Sequence, residues 1–170
     1  MVVLLAAAAC GGAHSLPAPA TTIAGLTFDG ANLWCADRGL RTLFCIDAKT
    51  GKVLRKLAAP GRHAAGLDWD AGFLWHVDGR TRKLYKIRAG DGKVIRELAV
   101  PGSDPPGVVR LKSHLLVGDW SDGVVYTLNV GDGSTAKMQW TPLSHPWGMA
   151  CDGKRAWFAN PDGGEVVAVD

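Results

Sequence analysis

Three side chains capable of acid–base or metal chemistry recur at one spacing. His63, Asp104 and His145 stand 41 residues apart, each three residues before a glycine at 66, 107 and 148. Two imidazoles and a carboxylate meeting at one point would hold a divalent metal ion, or act as a general base with its partner. The same residues also suit ordinary turns: His145 precedes a proline, and Asp104 lies in Ser103-Asp104-Pro105-Pro106. Both readings are carried forward.

A second set recurs with the same step. Asp37, Asp78, Asp119 and Asn160 fall at one column of the pattern. A short polar side chain present in every unit suits a structural task, accepting backbone N–H bonds within a loop. Asp119 is followed by Trp120, which with Trp147 stands outside the regular tryptophan column, and Asn160 holds the same loop position in the last unit. These four are the candidate ligand-binding residues, with the indoles as stacking walls. Arg80, Arg82, Lys83, Lys86 and Arg88 form a basic run best read as a solvated strand edge. No nucleophile elbow, phosphate loop or paired-carboxylate motif is present, so whether the chain is an enzyme is left open.

The elements that must position these residues follow from the repeat itself. Glycines at 25, 66, 107 and 148 start four units. Residues 34, 75, 116 and 157 are Trp, Trp, Leu and Trp, and Leu43, Leu84, Val125 and Val166 form a further column. Several columns agreeing without a gap exclude coincidence. Each unit reads as four short strands. In the first these are Gly25 to Asp29, Leu33 to Ala36, Leu43 to Asp47 and Val53 to Ala58, parted by Asp29-Gly30 and Thr50-Gly51 turns. Four strands in about 40–45 residues make one propeller blade. The fold expected is all-β, a β-propeller of four-stranded antiparallel blades over residues 13–170, with the Trp column packing between blades. The third unit, with Arg110 and Leu116, is expected to have a looser core.

The pattern leaves ring closure open. The chain stops after the third strand of the fourth unit, while Leu16 to Pro19 is in register with Leu57 to Pro60 and Leu98 to Pro101. In a closed four-blade ring, Leu16 to Pro19 would pair with Glu165 to Asp170 as the missing outer strand. The alternatives are a fragment of a larger propeller and a ring assembled from several chains.

The sequence Gly-Leu-x-x-Asp-Gly-x-x-Leu-Trp-x-x-Asp, followed by Leu-x-x-Ile-Asp-x-x-Thr-Gly-Lys-Val, resembles exported bacterial propellers. These are the virginiamycin B lyase-like, YVTN, NHL and gluconolactonase-like families. His145 to Asn160 is most similar to the lyase-like repeat. The resemblance covers residues 16 to 170 and implies blades; this fold carries lyases, lactonases and binding modules alike. It implies an extracytoplasmic module that binds a small molecule or a protein at the channel mouth. The alternatives are a metal-assisted lyase or lactonase, or a glutaminyl cyclase. The cyclase pattern departs here, with Cys35-Ala36-Asp37-Arg38 near the place of its Glu-Ser-Thr-Gly segment.

Composition narrows the partners. The chain has 47% hydrophobic and 21% charged residues and a net charge of +3, too small to argue for nucleic acid. Residues 1–12 read as an export-signal remnant, with Val2 to Ala9 apolar and Ala7-Ala8-Ala9-Cys10 similar to a lipoprotein processing site. A membrane link would then run only through a lipid on Cys10. Cys35 and Cys45 fall on consecutive predicted strands and are either bridged or two buried thiols.

Overall fold

A computed structural model describes residues 15–138, 145–160 and 162–169. The proposed signal remnant and Cys10 lie outside the described residues. The fold is a four-bladed, all-β propeller. Blade one is β1 (Ile23–Phe28), β2 (Asn32–Asp37), β3 (Thr42–Asp47) and β4 (Val53–Ala58). Blade two is β5 (Ala64–Asp70), β6 (Phe73–Asp78), β7 (Lys83–Arg88) and β8 (Val94–Ala99). Blade three is β9 (Val108–Leu111), β10 (His114–Asp119), β11 (Val124–Asn129) and β12 (Thr135–Met138). Blade four contributes β13 (Met149–Cys151), β14 (Ala156–Asn160) and β15 (Glu165–Val169). Every blade is an antiparallel meander in sequence order, with its first strand innermost.

The glycine column has a steric cause. A Cβ on Gly66 would stand 2.6 Å from the Gly107 Cα, and one on Gly25 would collide with the Ala65 carbonyl. Inner strands crowd at the axis, so only a residue without a side chain fits. Gly148 differs: a Cβ there would meet only the Ala159 Cβ, at an ordinary 3.6 Å.

Apolar side chains fill the spaces between blades. Trp34, Ala36, Leu43 and Cys45 of blade one pack on Ala64, Leu67, Leu74, Tyr85 and Ile87 of blade two. Trp75, Val77 and Leu84 repeat this against Val108, Leu115, Val117 and Tyr126, and Val109, Leu116 and Val125 do so against Ala156 and Phe158. Blade three is not loosely packed. Leu115 and Val117 are fully buried, and Leu116 replaces the tryptophan while staying in the core.

The packing tryptophans also have polar partners. Trp34 donates its indole N–H to Asp29 (2.9 Å), and Trp75 donates to Asp70 (3.1 Å). Asp152 accepts from Trp157 in the same way. The clasp satisfies an N–H that burial would otherwise strand. In blade three both members change together, to Leu111 and Leu116.

Cys35 and Cys45 lie on adjacent strands, as expected, but are free thiols. The register pairs Trp34 with Cys45 and Cys35 with Phe44. Opposed residues share a face and neighbours alternate, so the two sulfurs project from opposite faces of the blade and cannot be bridged.

The N-terminal pairing that would close the ring is not made among the described residues. Blade four is a three-stranded sheet, and Leu16 to Pro19 form no strand.

Candidate functional site

The mouth of the channel is built by the loops entering each first strand and those joining each second and third strand. One buried acid in each of blades one to three ties these loops together, and Asn160 holds the same column in blade four. Asp37 accepts the Thr22 amide (2.9 Å), the Thr22 hydroxyl (2.9 Å) and the Leu40 amide (2.7 Å). Asp78 accepts the amides of Arg62 (2.7 Å), His63 and Thr81 (2.7 Å), with the Thr81 hydroxyl at 2.8 Å. Asp119 accepts the amides of Ser103 (2.7 Å), Asp104 (3.0 Å) and Asp122 (2.7 Å). Burial alone would raise the Asp78 carboxyl. The amides of Thr81, His63 and Arg62 and the Thr81 hydroxyl outweigh it and hold the group below the usual range. Asp37 is lowered by the same balance, burial opposing the Leu40 and Thr22 bonds.

This arrangement assigns Asp119 and Asn160, placed among the candidate ligand-binding residues above, a positioning task. Asp119 is fully buried, and its oxygens are occupied by backbone amides. Asn160 is buried against Gly163 in the equivalent loop.

The three candidate metal ligands separate into two places. His63 Nδ1 and Asp104 Oδ1 flank Gly79, at 3.2 Å and 3.8 Å from where a Cβ on that residue would stand. His63 borders a hollow of about 420 Å³, which it lines with Gly79, Arg80, Arg82 and Ser103. His145 is drawn elsewhere. Its Nδ1 pairs with the Asp162 carboxylate, and its ring lies 4.4 Å from that of Trp120. Among the described residues no three His, Cys, Asp or Glu side chains are grouped closely enough to hold a metal ion. No step through a metal follows from this geometry.

The structure instead assembles an aromatic corner. Trp120, on the loop after β10, meets Trp147 edge to face at 4.9 Å, and the His145 ring lies tilted against it at 4.4 Å. The Trp120 amide is fixed to the Asp104 carbonyl (2.9 Å). Trp147 remains 55% exposed, unusual for an indole with a partner. It walls a cleft of about 310 Å³ with Thr22, Ile23, Ala24, Arg38 and Pro106. A channel of about 210 Å³, lined by the inner strands of all four blades, opens beside it and shares Ala24, Pro106 and Trp147. The Arg38 side chain is exposed at this rim. The corner can stack an apolar or aromatic group, Arg38 can receive an anion, and His145 with Asp162 has the form of a base and its orienting carboxylate.

The sequence grouped Trp120 with Trp147 as stacking walls and set His145 apart, with His63 and Asp104. The convergence of Trp120, Trp147 and His145, and the parts played by Arg38 and Asp162, went unread. A signal for Arg38 was available, since it immediately follows Asp37 as Trp120 follows Asp119.

This is a β-propeller whose mouth carries an aromatic, cationic cleft. No family model and no protein of curated function matches the chain. Solved structures share its fold. The computationally designed Ika4 protein superposes with a TM-score of 0.66 at 15% identity, over 94% of this chain and 98% of that one. Virginiamycin B lyase from Staphylococcus aureus, solved in a catalytically inactive His-to-Ala form with quinupristin, gives 0.66 at 18% identity over 83% of this chain. The chain spans about half of that enzyme's length, 49%. Myxococcus xanthus glutaminyl cyclase gives 0.62 at 14% identity, over 86% and 73% of the two chains.

Proposed function

We propose that this chain is an extracytoplasmic binding module for a small molecule that carries both an aromatic or extended apolar group and an anionic group. One observation carries the reading: a half-exposed Trp147, locked edge to face on Trp120, walls a cleft whose rim holds Arg38. An exposed indole held in one orientation offers contact area at little entropic cost. The apolar run at Val2 to Ala9 before Cys10 supports export.

The test is a fluorescence titration with indole-3-acetate, phenylacetate and quinupristin. Binding should quench the corner tryptophans and weaken at least tenfold in both Trp147→Ala and Arg38→Ala. No binding by any of the three compounds, or affinities unchanged in both variants, would overturn the reading.

A second reading has its own observation. The His145–Asp162 pair beside the aromatic corner supports an acid–base lyase, and a histidine-to-alanine form of the neighbouring virginiamycin B lyase is inactive. Under that reading, mass spectrometry of quinupristin incubated with the protein should show a converted product, lost in His145→Ala.

A further inference from the structure

Blade four and blade one expose the very surfaces that their counterparts bury. Leu26 is 61% exposed, whereas Leu67 and Val108 in the same column are 4% and 2%. Val166 is 68% exposed, whereas Leu43 and Leu84 are fully buried and Val125 is 3%. Phe28 adds a further exposed ring at 52%. These columns are the two sides of one kind of junction: Leu43 packs in the same core as Leu67, and Leu84 in the same core as Val108. Scattered apolar residues on a surface need no explanation, but a complementary pair of junction faces does.

Two further observations concern the same faces. Gly25 and Gly66 are glycine because the next blade's inner strand presses on them, yet among the described residues a Cβ on Gly148 would meet only Ala159, at 3.6 Å. Leu16 and Pro17 cover Gly51, at 3.4 Å and 2.8 Å from where its Cβ would be. Leu57 covers Gly92 and Leu98 covers Gly133 in the same manner, at 3.2 Å and 3.0 Å. The segment at Leu16 therefore stands where the outer strand of a preceding blade stands. Blade four has no outer strand among the described residues, and β15 offers an open edge. An unpaired edge beside an exposed apolar face is a site for strand addition.

We infer that the two faces join between copies of this chain: blade four of one copy packs on blade one of its partner, and the Leu16 segment of the partner completes the sheet beyond β15. The contact is head to tail, and made twice it closes. Two copies give eight blades, the top of the usual range of four to eight, whereas three would exceed it. Each Gly148 then meets the inner strand that its column implies, and Leu26, Phe28 and Val166 are buried like their mates.

The test is sedimentation of the full chain, 18.0 kDa as a single copy. The expected species is a dimer of twice that mass. Val166→Asp and Leu26→Asp should each be monomeric alone. Mixed, they should recover a dimer through the one junction left intact, which a face-to-same-face contact would not allow. A Leu26→Cys/Val166→Cys variant should cross-link between chains on oxidation. A wild-type monomer at all concentrations, or a cross-link formed only within one chain, would overturn the proposal and show that each copy closes on itself.

Discussion

His63 and His145 occupy the same column of the repeat, yet they have different surroundings. His63 has its backbone amide held by Asp78, and its ring sits beside Gly79 and Asp104 at the rim of a polar hollow. His145 has its ring clasped by Trp120 and Asp162. The difference arises one residue after the buried acid. His63 meets Gly79 of its own blade there, which leaves room for an imidazole, whereas His145 meets Trp120 of the preceding blade, a position that is Arg38 in the blade before His63. The repeat therefore fixes where the backbone runs, while the residue in the neighbouring loop decides what a side chain can do.

The sharpest way to break this comparison is to remove the clasp on one side and the pair on the other. Asp78→Ala leaves the amides of Arg62, His63 and Thr81 without their buried acceptor. The acceptor is buried but the three donors are only part-buried, so a loss of about 1–3 kcal/mol in all is expected in urea denaturation. Asp162→Ala removes an exposed carboxylate from beside His145 and should change stability by less than about 0.5 kcal/mol. Equal effects of the two substitutions would show that the loops of blades two and four are held alike.

A third histidine extends the comparison into the core. His76 is fully buried in β6, with Nδ1 3.2 Å from the Gly66 carbonyl and no hydrogen-bond partner for Nε2. Burial pushes its pKa down to about 4 from an ordinary 6.5. Between those values the unfolded chain binds a proton that the folded chain does not. Stability is therefore unaffected above pH 6.5, falls as the pH drops below it, and has lost about 3 kcal/mol by pH 4. The carboxylates Asp37 and Asp78, held low, add their own loss only at more acid pH. His76→Val, which copies Val117 of the same column, should abolish the drop between pH 6.5 and 4 in a series of urea melts. A drop that persists in this variant would assign it to other groups.

Much of the architecture was legible because blade geometry is periodic in sequence. The strand bounds, the turns at Asp29-Gly30 and Thr50-Gly51, and the packing role of the Trp column follow from columns 41 residues apart. The partner of each tryptophan was legible and went unread: Asp29, Asp70 and Asp152 stand five residues ahead of Trp34, Trp75 and Trp157. The loss of both members in blade three is the plainest sign that they act together. The site was less legible for a physical reason. Equivalent positions are related by rotation about the axis, so equal spacing puts His63, Asp104 and His145 around a rim without turning their side chains toward one another. Each ring goes to whatever its neighbouring loop provides, and loops are where the units differ most.

The smallest expected effect concerns the thiols, where the same distinction between column and face decides the outcome. Cys35 and Cys45 are close enough in sequence, on paired strands, to invite a bridge. A disulfide needs Cβ atoms about 3.5–4.5 Å apart with their bonds directed toward each other. Here the two Cβ atoms leave opposite sides of the sheet: Cys45 enters the core between blades one and two beside Trp34, and Cys35 joins Phe44 and Ile46 on the other face. Burial raises the Cys35 thiol to about 11 and also raises Cys45. Neither is therefore a ready thiolate, since the reactive form is scarce when the pKa stands well above the ambient pH. A reducing agent should leave the melting temperature of the oxidised protein unchanged. Both cysteines should resist alkylation at neutral pH in the native state and react fully in denaturant without reductant. A melting temperature that falls on reduction, or two thiols that label in denaturant only after reductant is added, would place the sulfurs on one face and require a register for β2 and β3 other than Trp34 opposite Cys45.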